Sequence, residues 1–421
     1  MRTATAHGAR FLLGLGLCAM CVACGGAAQG EAVTIMVPWS PGTGEYQAFH
    51  TVIVKFEEET GIQVHPEITR AYAQQLDADL SAGDPPDLVD LPSPGAVEQY
   101  EAKGSLRPLA VDLNSYDQPW RRLAESGTGT VYAVPVKADV KSLLWYNTRV
   151  LKTPPASWAG LEKLSGHGTP WCLGLASGST SGWPGADWVA DILLSRHQAG
   201  DYERWLAGQL PWTSSEVKGA WQAWGSLMRY GAAINGGVRG ALKTGFNQAA
   251  GSAMASSRCE LEHGALSATG LASTAGYDYV VFPPISGSAS PIMVSGDFMG
   301  LFTSNPNARK LLTYLASDEA QALWVRQSGG HAFSADRSVP PAAYPAGAQR
   351  KIADLLQPAA GHMRCFGASD MMLPDMSAAF GQAVLDYVDD HSLLPALLAG
   401  LQRTQQGAGP SPGAKFACAR P

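Results

Sequence analysis

Apolar residues recur along the chain with two alternating periods. Val33-Thr34-Ile35-Met36-Val37 is an apolar run of strand length. Phe49, Val52, Ile53 and Phe56 then fall at i, i+3, i+4 and i+7, one face of a helix that ends before Gly61. A second strand starts over residues 62–64, a second helix covers 72–80, and Leu88-Val89-Asp90-Leu91 forms a third strand. The βαβαβ order predicts the start of an open parallel α/β sheet. Beyond it, 130–135 and 143–146 read as strands flanking Lys137-Ala138-Asp139, with helices around 186–206 and 215–230. Further strands are expected at 277–282 and 300–303, two helices at 306–316 and 318–327 ending at Gly329-Gly330, and a last long helix at 376–389. Residues 405–421, rich in Gly and Pro, read as a flexible tail.

In open α/β sheets, ligands bind beyond the carboxyl ends of the strands. Those ends lead here into segments 38–45, 69–70 and 92–95, which carry Glu45, Arg70 and Ser93. Glu45 and Arg70 can hydrogen-bond a polar ligand. The plainer reading is that Glu45 favours a helix N-terminus through the dipole and Arg70 pairs on the surface.

At 421 residues the chain exceeds what one core organises, so two lobes are expected. Hydrophobic residues at 46% and charged residues at 16% suit a globular protein with large cores. A net charge of −6 leaves no basic footprint, which argues against nucleic acid as a partner. Twelve Trp and thirteen Tyr supply flat apolar faces that serve core packing and saccharide stacking alike.

Arg2 and Arg10 accompany an apolar run over 11–22, too short to span a bilayer and suited to a signal segment. Residues 1–23 are read as the leader and 24–32 as a linker. Cys21-Val22-Ala23-Cys24-Gly25 resembles a bacterial lipobox with Cys24 as the acylated residue, the alternative being an ordinary signal peptide. The expected location is therefore extracytoplasmic, with the protein held to the cell membrane by lipid. Without leader and anchor, four cysteines remain, an even set for an oxidising compartment. Their order suggests Cys172–Cys259 and Cys365–Cys418, although four cysteines allow three pairings. They show no close-paired metal-ligand spacing, so neither a metal nor a cofactor is expected.

Several stretches carry a resemblance. Phe56-Glu57-Glu58-Glu59-Thr60-Gly61-Ile62-Gln63-Val64, Ala82-Gly83-Asp84-Pro85-Pro86-Asp87-Leu88-Val89 and Gly104-Ser105-Leu106-Arg107-Pro108-Leu109 follow one another in order. Tyr132-Ala133-Val134-Pro135, Leu144-Trp145-Tyr146-Asn147 and Ser317-Asp318-Glu319-Ala320-Gln321 continue the series. Together they resemble extracellular solute-binding protein family 1, the carbohydrate-binding components of ABC importers. Thr169-Pro170-Trp171-Cys172, Ser181-Gly182-Trp183-Pro184-Gly185-Ala186-Asp187-Trp188, Ser295-Gly296-Asp297-Phe298 and Ala368-Ser369-Asp370-Met371-Met372 are similar to its alpha-glucoside-binding branch.

The resemblance implies a two-lobe periplasmic-binding-protein-like fold of type II, with a saccharide bound between hinged lobes. One lobe would comprise 33–138 and about 290–338, the other 139–289 and about 339–404. It implies a monomer that closes on a small carbohydrate, without catalysis, and delivers it to ABC permease subunits. By the same resemblance Glu45, Arg70 and Asp297 contact sugar hydroxyls, as carboxylates and guanidinium groups suit vicinal diols. Lys137 and Asp139 reach the cleft or brace the hinge as a salt bridge. Trp183 is a candidate stacking platform, and Trp188 a platform or a core residue. Asp187 contacts ligand or caps its helix, and His263 is a further polar candidate. Where the branch carries Phe-Trp in its last helix, this chain has Phe380-Gly381, leaving Phe380 as the only substitute ring there. Ala71 stands where an acidic residue often follows the Arg.

Enzyme motifs fare poorly. Ser215-Glu216-Val217-Lys218 and Lys243-Thr244-Gly245 imitate pieces of penicillin-recognising enzymes, but no S-x-N element lies between them. No HExxH, nucleophile elbow, Walker A or Rossmann fingerprint occurs. A secreted glycoside hydrolase, whose two carboxylates need no local motif, and a non-transport sugar receptor are the alternatives.

Overall fold

The computed structural model describes residues 32–125, 129–286 and 291–420. The leader and Cys24 lie outside the described residues. Among the described residues ten strands form two sheets: β1 (Val33–Val37), β2 (Val64–Ile68), β3 (Leu88–Leu91), β4 (Ala133–Val140), β5 (Leu143–Asn147), β6 (Leu261–His263), β7 (Tyr277–Val281), β8 (Ile292–Leu301), β9 (Arg364–Phe366) and β10 (Cys418–Ala419). The larger sheet runs β10-β9-β8-β3-β1-β2, with β4 also on β8, and the smaller runs β6-β5-β7.

β1 lies between β2 and β3, parallel to both. That is the arrangement the βαβαβ order demands. Helix α1 (Gly44–Thr60) buries Phe49, Val52, Ile53 and Phe56 on the sheet. Each such side chain contributes roughly 1.5–3 kcal/mol. Thr43 caps its start by accepting from the Tyr46 N–H, and Gly61 closes its end in the left-handed region at φ 70°. Asp87 of the Pro-Pro-Asp segment has a structural role. Its carboxylate accepts from the Thr34 N–H, from Asn305 and from the Thr303 hydroxyl, fastening β3 to its neighbours.

Only Lys141 and Ser142 separate β4 in the first sheet from β5 in the second. This short crossing is clamped by the helix Trp183–Leu206, whose buried Asp187 and Asp191 stand one turn apart. Lys141 pairs with Asp187 at 3.1 Å. Ser142 donates to Asp191 at 2.8 Å and accepts from the Met293 N–H at 2.7 Å. His263 Nε2 completes the cluster, 2.8 Å from the other Asp191 oxygen. The crossing and the start of β8 are thus tied to one helix.

Both disulfides form in the order of the sequence, Cys172–Cys259 and Cys365–Cys418. Three expectations are corrected. The flexible tail expected at 405–421 is held in place over 405–420: Leu394–Ala408 is a helix, Pro412–Phe416 a 3-10 turn, and β10 pairs with β9 at the Cys365–Cys418 cross-link. The helix buries Leu394, Leu398 and Leu401, and the Gly content masked this stripe. β9 extends the first sheet, although its sequence position suggested the second lobe, and β10, from the expected tail, continues that sheet. The strand expected at 300–303 begins instead at Ile292, its polar Ser295-Gly296-Asp297 stretch having hidden its length.

Candidate functional site

Between the two sheets lies a cavity of about 420 Å3, within the ~300–1,000 Å3 typical of small-molecule sites. From the first lobe it receives Glu45 at the start of α1, Arg70 after β2, Asp90 and Ser93 at the end of β3, Lys137 and Asp139 on β4, and Asp297 on β8. From the second it receives Trp183, Phe246, Ser267 and Asp370. The strand ends do converge on one space.

Lys137 is the hub of the first wall. Its Nζ lies 2.7 Å from Glu45, 3.5 Å from Asp139 and 3.9 Å from Asp297. Burial opposes its charge, but the three carboxylates outweigh this and hold its pKa well above the ordinary lysine value. Burial in turn pushes Asp139 and Asp297 up to about 6, against the pull of Lys137. Asp139 also accepts from Ser267 at 3.0 Å, joining the lobes.

Lys141 holds the second wall, pairing with Asp370 at 2.8 Å as well as with Asp187. Burial raises Asp187 to about 6 and Asp370 above the usual carboxylate value, in both cases against Lys141. The Lys141 ammonium lies 5.5 Å from the Trp183 ring centre. Trp183 meets Phe246 edge-on at 5.3 Å, and the Arg70 guanidinium lies 5.0 Å over Phe246. This last contact spans the cleft. Cation–π contacts of this kind contribute ~0.5–1 kcal/mol at exposed sites.

Glu45, Arg70, Ser93, Lys137, Asp139, Trp183 and Asp297 therefore stand at the cavity wall. Four other candidates are placed behind it. Asp187 and His263 belong to the clamp on the crossing. Trp188, 2% exposed, packs edge-on against Trp171 and at 4.4 Å from the His263 ring. Phe380 is enclosed by Trp205, Trp212 and Trp221, so it cannot serve as a substitute platform. Its neighbour Gly381 lines the cavity and has its carbonyl against Gly182, where a Cβ would collide; Gly182 also holds φ 95°. A Cβ on Gly381 would itself stand 2.8 Å from the Ser181 carbonyl, so this junction, next to Trp183, is too close-packed for a side chain there.

Sequence reasoning missed Lys141, Phe246, Asp90 and Asp191. Lys141 carried a weak signal, four residues after Lys137 beside the crossing. Phe246 had none, because a lone Phe after Lys-Thr-Gly has no periodic context. Ser215, at the start of the helix Ser215–Leu227, donates to Glu216 at 3.0 Å and is not part of this cavity's wall. No group of three His, Cys, Asp or Glu among the described residues could hold a metal, and no described helix is long and apolar enough to cross a membrane.

Two α/β lobes, joined by short crossings around a polar cavity with one aromatic wall, define a cleft-type ligand-binding protein. The chain belongs to the bacterial extracellular solute-binding protein family, whose model matches residues 51–349. It is 32% identical over 330 residues to the alpha-glucosides-binding periplasmic protein AglE of Rhizobium meliloti, covering 71% of each chain. It is 33% identical over 368 residues to the osmoprotective compounds-binding protein GgtB of Synechocystis sp., covering 82% of this chain and 86% of that one. Among solved structures, the bacterial solute receptor AcbH superposes with TM-score 0.77 at 17% identity, over 90% of this chain and 99% of that one. RafE in complex with raffinose gives TM-score 0.68 at 16% identity, over 89% and 98%. These likenesses agree with the two-lobe fold.

Proposed function

We propose that this protein captures a small saccharide of the alpha-glucoside class by closure of its two lobes and hands it, unaltered, to an ABC permease. The observation that carries the reading is the cavity itself. Charged hydrogen-bonding groups from the first lobe face an aromatic wall, Trp183 with Phe246, from the second. Hydroxyl edges suit the former and the apolar face of a pyranose the latter. The names of the relatives support it, one binding alpha-glucosides and the other osmoprotective compounds. The lobes divide at the crossing after β4 and between β7 and β8, and the monomer is the binding unit. Cys24 carries the lipid that holds the protein to the membrane after the leader is removed.

A thermal-shift screen over maltose, sucrose and trehalose tests the reading. A ligand present at ~100 times its Kd adds roughly 2.7 kcal/mol to stability. The expected result is a clear rise in Tm with one of them, and recovery of that sugar intact after prolonged incubation. Appearance of cleaved sugar would turn the assignment to a hydrolase. For the anchor, mass spectrometry should find diacylglyceryl on Cys24, and Cys24→Ala should release the protein from the membrane.

A further inference from the structure

Beneath the Lys137 cluster lies a carboxyl with nothing to hold it. Asp90, on β3, is 2% exposed yet lines the cavity, and neither of its side-chain oxygens has a hydrogen-bond partner. A buried, unpartnered polar group costs ~1–3 kcal/mol, and more when charged. Such a group in a native protein calls for a role or an occupant. Lys137 attracts the charged form of Asp90, but burial and repulsion from Asp297 outweigh that pull, and no neighbour donates a hydrogen bond to it. Lys137 on β4 is already engaged by Glu45, Asp139 and Asp297, while Asp297 on β8 and Glu45 on α1 repel it. Tyr72, at the start of the next helix, is the remaining titratable neighbour, and it lines the same cavity.

We propose that Asp90 is a ligand-reading group of the saccharide site: it is neutral in the empty cleft and ionises as it accepts hydrogen bonds from sugar hydroxyls, passing its proton to solvent. The inference rests on the saccharide reading above and extends it to a residue that neither the spacing nor the resemblance singled out. Its chemistry follows from the geometry. A neutral carboxyl is tolerated in this pocket because burial, followed by repulsion from Asp297, drives its pKa well above the ordinary value. Hydroxyl donors arriving at both oxygens favour the charged form and lower that pKa. Binding then releases a proton. A bound-state pKa below the free-state value means affinity rises with pH between the two, and falls as the solution is acidified through them.

The experiment measures Kd for maltose, sucrose and trehalose by calorimetry at pH 5, 6, 7 and 8, in buffers of different ionisation enthalpy. Wild type is compared with Asp90→Asn. For the sugar that binds, the substitution should weaken affinity about tenfold or more. It should also remove part of the proton release and flatten the pH profile relative to wild type. Because Asp297 repels Asp90, Asp297→Asn and the double variant Asp90→Asn, Asp297→Asn are measured beside it, and the proton release lost between those two belongs to Asp90. The Tm of the unliganded variant should be unchanged or higher, since an unpartnered buried acid has been removed; a merely structural Asp90 would lower it. A variant within twofold of wild type, or with the same proton release, overturns the proposal and leaves the saccharide reading standing. If wild type binds none of the three sugars, the saccharide reading fails and the role of Asp90 fails with it.

Discussion

Lys137 and Lys141 stand four residues apart; Glu45 and Asp297 reach the first from distant segments, beside its strand neighbour Asp139, and Asp187 and Asp370 reach the second. The first anchors the cavity-facing groups of one wall, the second those of the other. The cleft acids carry a pH signature. Asp297, raised to about 6 from an ordinary value near 3.9, binds more protons folded than unfolded. Its contribution to stability is therefore fully present below the unfolded value and lost as pH rises through about 6. Asp297→Asn should reduce the loss of Tm that the unliganded protein shows between pH 4.5 and 7, as read by thermal melts at both values. A second prediction concerns the aromatic wall. Trp183→Ala should weaken sugar binding roughly three- to tenfold, on the ~0.5–1.5 kcal/mol of an aromatic contact, with the unliganded fold retained by circular dichroism. At this scale the sequence told only part of the site. Glu45, Arg70 and Asp297 were legible because strand ends and motif order locate them. Phe246, Lys141 and Asp90 were not, because their meaning depends on which distant side chains fold against them. Trp188 and His263 show the reverse problem: a Trp or His near a motif reads the same whether it faces ligand or core.

Elements were more legible than side chains. β1, α1 and β3 lie where the apolar pattern put them, and the helices Ser215–Leu227, Pro306–Leu315 and Asp318–Val325 agree within a few residues. The misses share one cause, short-range polarity inside an element fixed by long-range pairing. β8 passes through Ser295-Gly296-Asp297 because β4 supplies hydrogen bonds alongside, and β10 exists because β9 and a disulfide hold it. The Cys172–Cys259 bridge spans 87 residues of sequence, a loop whose closure is worth roughly 4–5 kcal/mol in the chain-entropy model. A Cys172→Ala, Cys259→Ala double variant should lose about 2–5 kcal/mol in urea unfolding. Breaking Cys365–Cys418 in the same way should raise amide exchange over 409–420 before it affects the rest of the sheet.

For the molecule as a whole, function depends on how closely the lobes approach. The helix Pro94–Ala102 begins at the cleft, and its Gly95 abuts the Met372 carbonyl of the opposite lobe, with no space for a Cβ. Gly95→Val should hold the lobes apart, lowering sugar affinity at least tenfold while the isolated lobes stay folded. Small-angle scattering should then show no contraction on adding the ligand that compacts the wild type. Contraction equal to wild type would show that this contact does not limit closure. Ligand must favour the closed arrangement over the open one, or it shifts no population.

The larger sheet has a temporal consequence. Its strands run from β1, which starts at Val33, to β10, which starts at Cys418, so the first of them is made long before the last. A ribosome releasing this polypeptide cannot finish the sheet until Cys418 has emerged, because the edge partner of β9 is made last. Until then the sheet lacks its edge strand and the Cys365–Cys418 cross-link cannot form, whereas Cys172–Cys259 needs only residues made earlier.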